Sequence, residues 1–133
     1  MITGRCHCEQ VKFQITGPVS EFMHCHCQSC RRITGTVFGA SAVVARDHLR
    51  VTDGEDRLTS YESSPGKRRM FCSACGTHVF ALQDNLPDDA ILRIGTLDEG
   101  HGLKPEGHIY YEERTEWDAT SDDLPKYTAE NFD

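Results

Sequence analysis

The stretch His24-Cys25-His26-Cys27-Gln28-Ser29-Cys30-Arg31-Arg32 carries the densest chemistry in the chain: three thiols within six residues, then two cations. Successive side chains alternate on an extended strand, so C-x-C puts Cys25 and Cys27 on one face and His24 and His26 on the other. The C-x-x-C that follows curls Cys30 back toward the first two sulfurs. Three thiolates around one soft ion suit zinc, and a fourth position left open describes a catalytic site better than a structural one. The alternative is a closed site whose fourth ligand comes from elsewhere, with His78 as the candidate.

Four more cysteines form two close pairs, Cys6-His7-Cys8 and Cys72-Ser73-Ala74-Cys75. One ion held by both pairs would tie the start of the chain to its middle. Structural zinc in small domains is worth on the order of 10–16 kcal/mol, comparable with the whole stability of a domain. Ordinary buried thiols are the plain alternative, but two pairs at ligand spacing argue against it. Cys25 and Cys27 could instead join Cys72 and Cys75. That pairing strands Cys6, Cys8 and Cys30, so four plus three is the simpler division, with two zinc ions expected.

Short strands must position these loops. Val11 to Ile15 alternates apolar and polar side chains, the mark of a half-buried strand, and Gly17-Pro18 turns the chain. Glu21 to Cys27 reads as a strand entering the metal loop, Arg31 to Thr34 as one helical turn ended by Gly35, and Thr36 to Ala45 as a buried strand. Arg46 to Asp56 is polar and turn-prone. Leu58 to Ser63 is a weak strand closed by Ser64-Pro65-Gly66, and Lys67 to Cys72 leads into a knuckle in which Gly76 suits a left-handed turn. His78 to Gln83, Ala90 to Gly95 and His108 to Tyr111 are strand-like. The acidic stretch Asp118 to Asp133 is read as a surface lid or a loose tail. Many short strands with frequent turns indicate a mainly β domain, a sandwich or an open barrel.

A length of 133 residues suits one domain spanning the whole chain, 1–133. The 14 basic against 21 acidic residues give a net charge of −7, which argues against a general nucleic-acid or membrane-surface binder. No apolar run approaches the roughly 20 residues needed to span a bilayer. Met1 to Cys6 shows no basic-then-apolar leader. A cytoplasmic setting is therefore expected, with the seven cysteines as metal ligands or reactive thiols rather than a disulfide frame.

Three blocks of the sequence resemble the glutathione-dependent formaldehyde-activating family, which also includes a domain of centromere protein V. They are Gly4-Arg5-Cys6-His7-Cys8 with Val11 and Phe13 behind it, Cys25 to Arg32 with Gly35 behind it, and Arg69-Met70-Phe71-Cys72-Ser73-Ala74-Cys75-Gly76-Thr77. A weaker fourth block is Gly95-Thr96-Leu97-Asp98 with Pro105, His108-Ile109 and Trp117. The resemblance implies a mainly β fold built around a structural zinc at Cys6, Cys8, Cys72 and Cys75, with an active-site zinc at Cys25, Cys27 and Cys30. One departure is Glu9, where the family usually has glycine; it puts the local turn in question and leaves both sulfurs in place.

The activity so implied is carbon–sulfur bond formation or cleavage on a glutathione–aldehyde adduct, as in a carbon–sulfur lyase forming S-hydroxymethylglutathione. Glutathione carries two carboxylates, so a cationic rim is expected. Arg31, Arg32, Lys67, Arg68 and Arg69 are its candidates, with a solvated face as the plainer role of each. His26 could shuttle a proton, though it reads more simply as a surface histidine. Trp117 could line a pocket and reads more simply as core. The alternatives to an enzyme are a non-catalytic zinc-binding interaction module and a redox sensor whose Cys25, Cys27 and Cys30 oxidise and release metal.

Overall fold

The structure, a computed structural model, describes residues 1–130. The last part of the expected acidic tail, residues 131–133, lies outside the described residues. Among the described residues, ten strands and one short α-helix follow one another. They are β1 (Ile2–Arg5), β2 (Lys12–Ile15), β3 (Val19–Cys25), α1 (Gln28–Thr34), β4 (Gly39–Ala45), β5 (Leu49–Asp53), β6 (Leu58–Ser64), β7 (Lys67–Cys72), β8 (His78–Gln83), β9 (Asp89–Arg93) and β10 (Gly107–Ile109). The protein is thus mainly β, as the sequence leads one to expect. Among the described residues no helix is long and apolar enough to cross a membrane.

The chain forms two compact units: residues 1–20 with 42–102, and residues 21–41 with those from Leu103 onward. In the first unit, β1, β2 and β5 make an antiparallel sheet in the order β1-β2-β5. The alternation in β2 is realised: Phe13 and Ile15 are buried while Lys12 is exposed. Gly4 sits opposite Phe13 in the register. A Cβ there would fall 2.3 Å from the Phe13 ring and 2.8 Å from the Thr96 carbonyl, so only glycine lets the strands meet over that ring.

The same unit holds the antiparallel run β9-β8-β7-β6. Pro65 and Gly66 close the β6–β7 hairpin, with Gly66 at φ +80°. The unit's core is Val11, Phe13, Ile15, Val44, Val79, Ala81, Ala90 and Leu92, each with 1% exposure or less.

Two strands depart from expectation: β1, in a stretch read only for its cysteine pair, and β5. The polar segment Arg46 to Asp56 contains β5, in which Leu49 and Val51 pair with Ile15 and Phe13 of β2. Those two apolar side chains, two residues apart, form a half-buried stripe that the surrounding charges disguised.

In the second unit, β10 runs parallel to β3, with Gly107 beside Met23, His108 beside His24 and Ile109 beside Cys25. Beyond β10 the chain returns along its free side. His108 N–H donates to the Pro125 carbonyl and Tyr127 N–H to the His108 carbonyl, both at 2.8 Å. The tail is therefore anchored at these points rather than loose. The helix α1 starts earlier than expected, at Gln28, because Cys27 caps it: the Cys27 sulfur accepts the Cys30 N–H at 3.3 Å. It ends at Gly35, at φ +67°, whose N–H returns to the Arg31 carbonyl.

Candidate metal centres

In the first unit, Cys6 and Cys8 follow β1, Cys72 closes β7 and Cys75 lies in the turn before β8. Their four sulfurs all lie within 4.8 Å of one another. The Cys6–Cys8 separation is 3.6 Å and the Cys8–Cys72 separation 3.8 Å. Sulfurs about 2.3 Å from a tetrahedrally held ion stand about 3.8 Å apart, whereas a disulfide needs about 2.05 Å. The donor set therefore fits one thiolate-bound ion.

The backbone shapes both halves of this centre. Gly76 takes φ +80° and donates to the Cys72 carbonyl at 2.7 Å. Glu9 makes the matching turn at φ +67° and donates to the Cys6 carbonyl at 3.1 Å. A non-glycine residue is uncommon in that conformation, so the expected local stress at Glu9 is real and the turn survives it. Val11 N–H points at the Cys6 sulfur at 3.3 Å. The side-chain hydrogen bond with Thr77, the largest influence, brings the Cys75 thiol down to about 5, so this position favours a thiolate.

In the second unit, Cys25 ends β3, Cys27 caps α1 and Cys30 lies in its first turn. These three sulfurs also gather within 4.8 Å. Cys25 and Cys30 are 5% and 3% exposed, and Cys27 is half-buried. Hydrogen bonding to Cys27 and Cys30, then burial, pushes the Cys25 thiol far up. Three crowded sulfurs resist ionising together unless a cation shares their charge. Two buried sulfurs and one half-open one can hold an ion that keeps a face toward solvent. The seven cysteines thus group as four and three.

The two histidines flanking Cys25 pack against the same two rings, Phe38 and His108. The His24 ring stacks on Phe38 with centroids 4.0 Å apart. The His26 ring packs edge-on to Phe38 and to Tyr111. The expectation of a surface histidine at 26 is wrong: His26 is 0% exposed. Its Nε2 lies 2.7 Å from His108 Nδ1, and His108 Nε2 lies 3.0 Å from an Asp122 carboxylate oxygen. Burial, with the nearby His108, lowers the pKa of both His24 and His26, that of His24 to about 4. Neither His108 nor Asp122 stood out as a partner in the sequence. His108 is 82 residues from His26 and Asp122 lies 14 residues beyond His108, and no local spacing rule links them.

The cations named as rim candidates differ in their settings. Arg69 is buried at 2% exposure and donates through Nε to Ser63 at 2.8 Å. Arg68 pairs with Asp84 at 3.1 Å. Arg31 is half-buried and donates through Nε to the His26 carbonyl at 3.2 Å, while Arg32 is exposed. Trp117, read as core, is 68% exposed. His78, the candidate fourth ligand, belongs to the first unit and stacks on Phe71 at 5.2 Å.

Residues 1–113 match the family model for the glutathione-dependent formaldehyde-activating enzyme. The chain belongs to the glutathione-dependent formaldehyde-activating enzyme family. A relative from Talaromyces marneffei, provisionally named as such an enzyme, is 35% identical over 78 residues, covering 56% of this chain and 41% of its own length. A Halomonas elongata relative with the same provisional name is 26% identical over 125 residues, covering 88% of this chain and 79% of its own. The match thus spans about two fifths of the fungal relative and most of the bacterial one. A crystal structure of a Rhodobacter sphaeroides protein aligns with a TM-score of 0.58 and 25% identity, covering 77% of this chain and 91% of the other. Both cysteine centres of this family member fall within the matched residues.

Proposed function

We propose that this protein is a zinc-dependent carbon–sulfur lyase of the S-(hydroxymethyl)glutathione synthase type, acting on an adduct of glutathione with an aldehyde such as formaldehyde. The observation that supports this most is the contrast between the two centres. Cys6, Cys8, Cys72 and Cys75 make a complete four-sulfur set suited to a structural zinc. Cys25, Cys27 and Cys30 make a three-sulfur set with a half-open member, suited to an active-site zinc. A zinc ion held there supplies the charge that favours a thiolate at neutral pH or polarises a carbonyl.

The reaction adds a thiol across an aldehyde. A sulfur–carbon bond forms, the carbonyl π electrons go to oxygen, and oxygen takes the proton the thiol loses. The chain's own part is to hold and orient. Cys25, Cys27 and Cys30 hold the ion. Exposed Arg32 offers a guanidinium to a substrate carboxylate. Arg31 has its Nε committed to the His26 carbonyl, so only the rest of its guanidinium can join. Thiols used in this way suit the reducing cytoplasm.

Calorimetry of glutathione binding to the zinc-loaded protein, in two buffers of different ionisation enthalpy, tests the reading. A thiol that ionises on binding releases a proton, so the heat should depend on the buffer. S-methylglutathione has the same carboxylates and no thiol proton. It should bind more weakly and without buffer dependence. Equal affinity for the two ligands would mean that the thiol plays no part, and binding of neither would favour a non-catalytic zinc module.

A further inference from the structure

We propose that Asp122 is a positioning residue for the three-cysteine centre, acting through His108 and His26 to fix where the Cys25 and Cys27 sulfurs sit. The proposal rests on the reading of that centre as an ion site. All of its members lie in one unit.

His26 stands between Cys25 and Cys27, so whatever fixes its backbone constrains where both neighbouring side chains start. It is held at three points. Its N–H donates to the Ile109 carbonyl at 3.0 Å, its carbonyl accepts from Arg31 Nε at 3.2 Å, and its Nε2 meets His108 Nδ1 at 2.7 Å. The first two bonds set the backbone. The third sets the ring and, with it, the rotation of the residue.

Asp122 holds the far end of the third bond. A carboxylate only accepts, so His108 must present Nε2–H to it at 3.0 Å. That bond turns the ring so that its other nitrogen, Nδ1, faces His26 Nε2 at 2.7 Å. Asp122 is itself held, by Leu124 N–H at 3.0 Å and by Lys126 Nζ at 2.9 Å. His108 is pinned on its backbone by Pro125 and Tyr127. Both rings are buried, at 0% and 1% exposure, so water cannot replace a lost partner cheaply. Groups bonded directly to metal ligands typically tune affinity ten- to a hundredfold, which sets the upper range for a residue acting one step further out.

The test compares Asp122→Ala with Asp122→Asn in the full chain. Asparagine keeps an acceptor for His108 Nε2–H, and alanine removes it. Zinc affinity of the more labile ion is measured by competition with a chromophoric chelator, and alkylation of Cys27 is timed in the metal-depleted protein. Asp122→Ala should weaken the labile ion by up to about ten- to a hundredfold and speed alkylation, with Asp122→Asn close to wild type on both. If Asp122→Ala lowers only the melting temperature and leaves affinity and alkylation unchanged, Asp122 is merely structural and the proposal falls. If the wild type binds no labile ion, the functional reading fails. The alkylation rates then decide this proposal by themselves, unchanged rates overturning it.

Discussion

Arg31 Nε donates to the His26 carbonyl at 3.2 Å, tying the helix that carries Cys30 back to the link between Cys25, at the end of β3, and Cys27. The two adjacent arginines therefore do different work. Arg31 braces the centre, and Arg32 projects into solvent. Both lie in the last turn of α1, where positive charge also suits the helix end.

Replacing Arg32 by Ala should leave the melting temperature unchanged and weaken glutathione binding about two- to fivefold, the range of an exposed ion pair. Replacing Arg31 by Ala should lower the melting temperature as well, because the His26 carbonyl loses its partner. Thermal unfolding and calorimetry on the same two variants separate the effects. Unchanged glutathione affinity in Arg32→Ala would return that residue to the solvated surface.

The two centres should part company under chelation. A mild chelator should strip one ion and leave the fold intact. Cys72→Ser should cost far more stability than Cys30→Ser, because Cys72 joins β7 to the N-terminal pair, whereas Cys30 belongs to a set formed within one short loop and helix. Metal content and denaturant midpoints check both statements. Loss of both ions together with unfolding would show that the centres are not separable.

Glu9 offers a backbone test. At φ +67° a glycine is preferred to a residue with a Cβ by about 1 kcal/mol. Glu9→Gly and Glu9→Ala both delete the ion pair with Arg5, whose partners are both more than half exposed. The glycine variant should therefore be the more stable of the two by about 1 kcal/mol in denaturant unfolding. Equal stability would mean that the turn relaxes away from its left-handed form.

Much of the framework is legible locally. The hairpin at Pro65-Gly66, the left-handed Gly76 and the helix stop at Gly35 each follow from a residue whose backbone preferences decide the matter. The division of the cysteines follows from spacing within each pair or triplet, since sulfurs two or three residues apart converge on almost any tight loop. Other features depend on what arrives from afar. His26 is polar and flanked by cysteines, so nothing nearby predicts that His108 and Phe38 will bury it. Arg69 alternates with side chains that look exposed until Ser63 reaches its Nε. Trp117 carries the apolar area of a core residue, yet none of its neighbours in sequence could enclose it. Strand β5 was hidden in a different way, its two apolar side chains outnumbered by charges that face solvent.

Cys8 and Cys72 meet at 3.8 Å across a sequence separation of 64 residues. On a growing chain made at about 5–20 residues per second, that separation is roughly 3–13 s of synthesis. Throughout that interval the first half of the four-sulfur centre is two neighbouring thiols with no counterpart. Only when Cys75 emerges can the cluster assemble, and it does so in a segment whose hairpin forms locally. Cys6 and Cys8 are thus exposed to oxidation for longer than Cys72 and Cys75, and a nascent chain halted before Cys72 would present them as an unprotected pair.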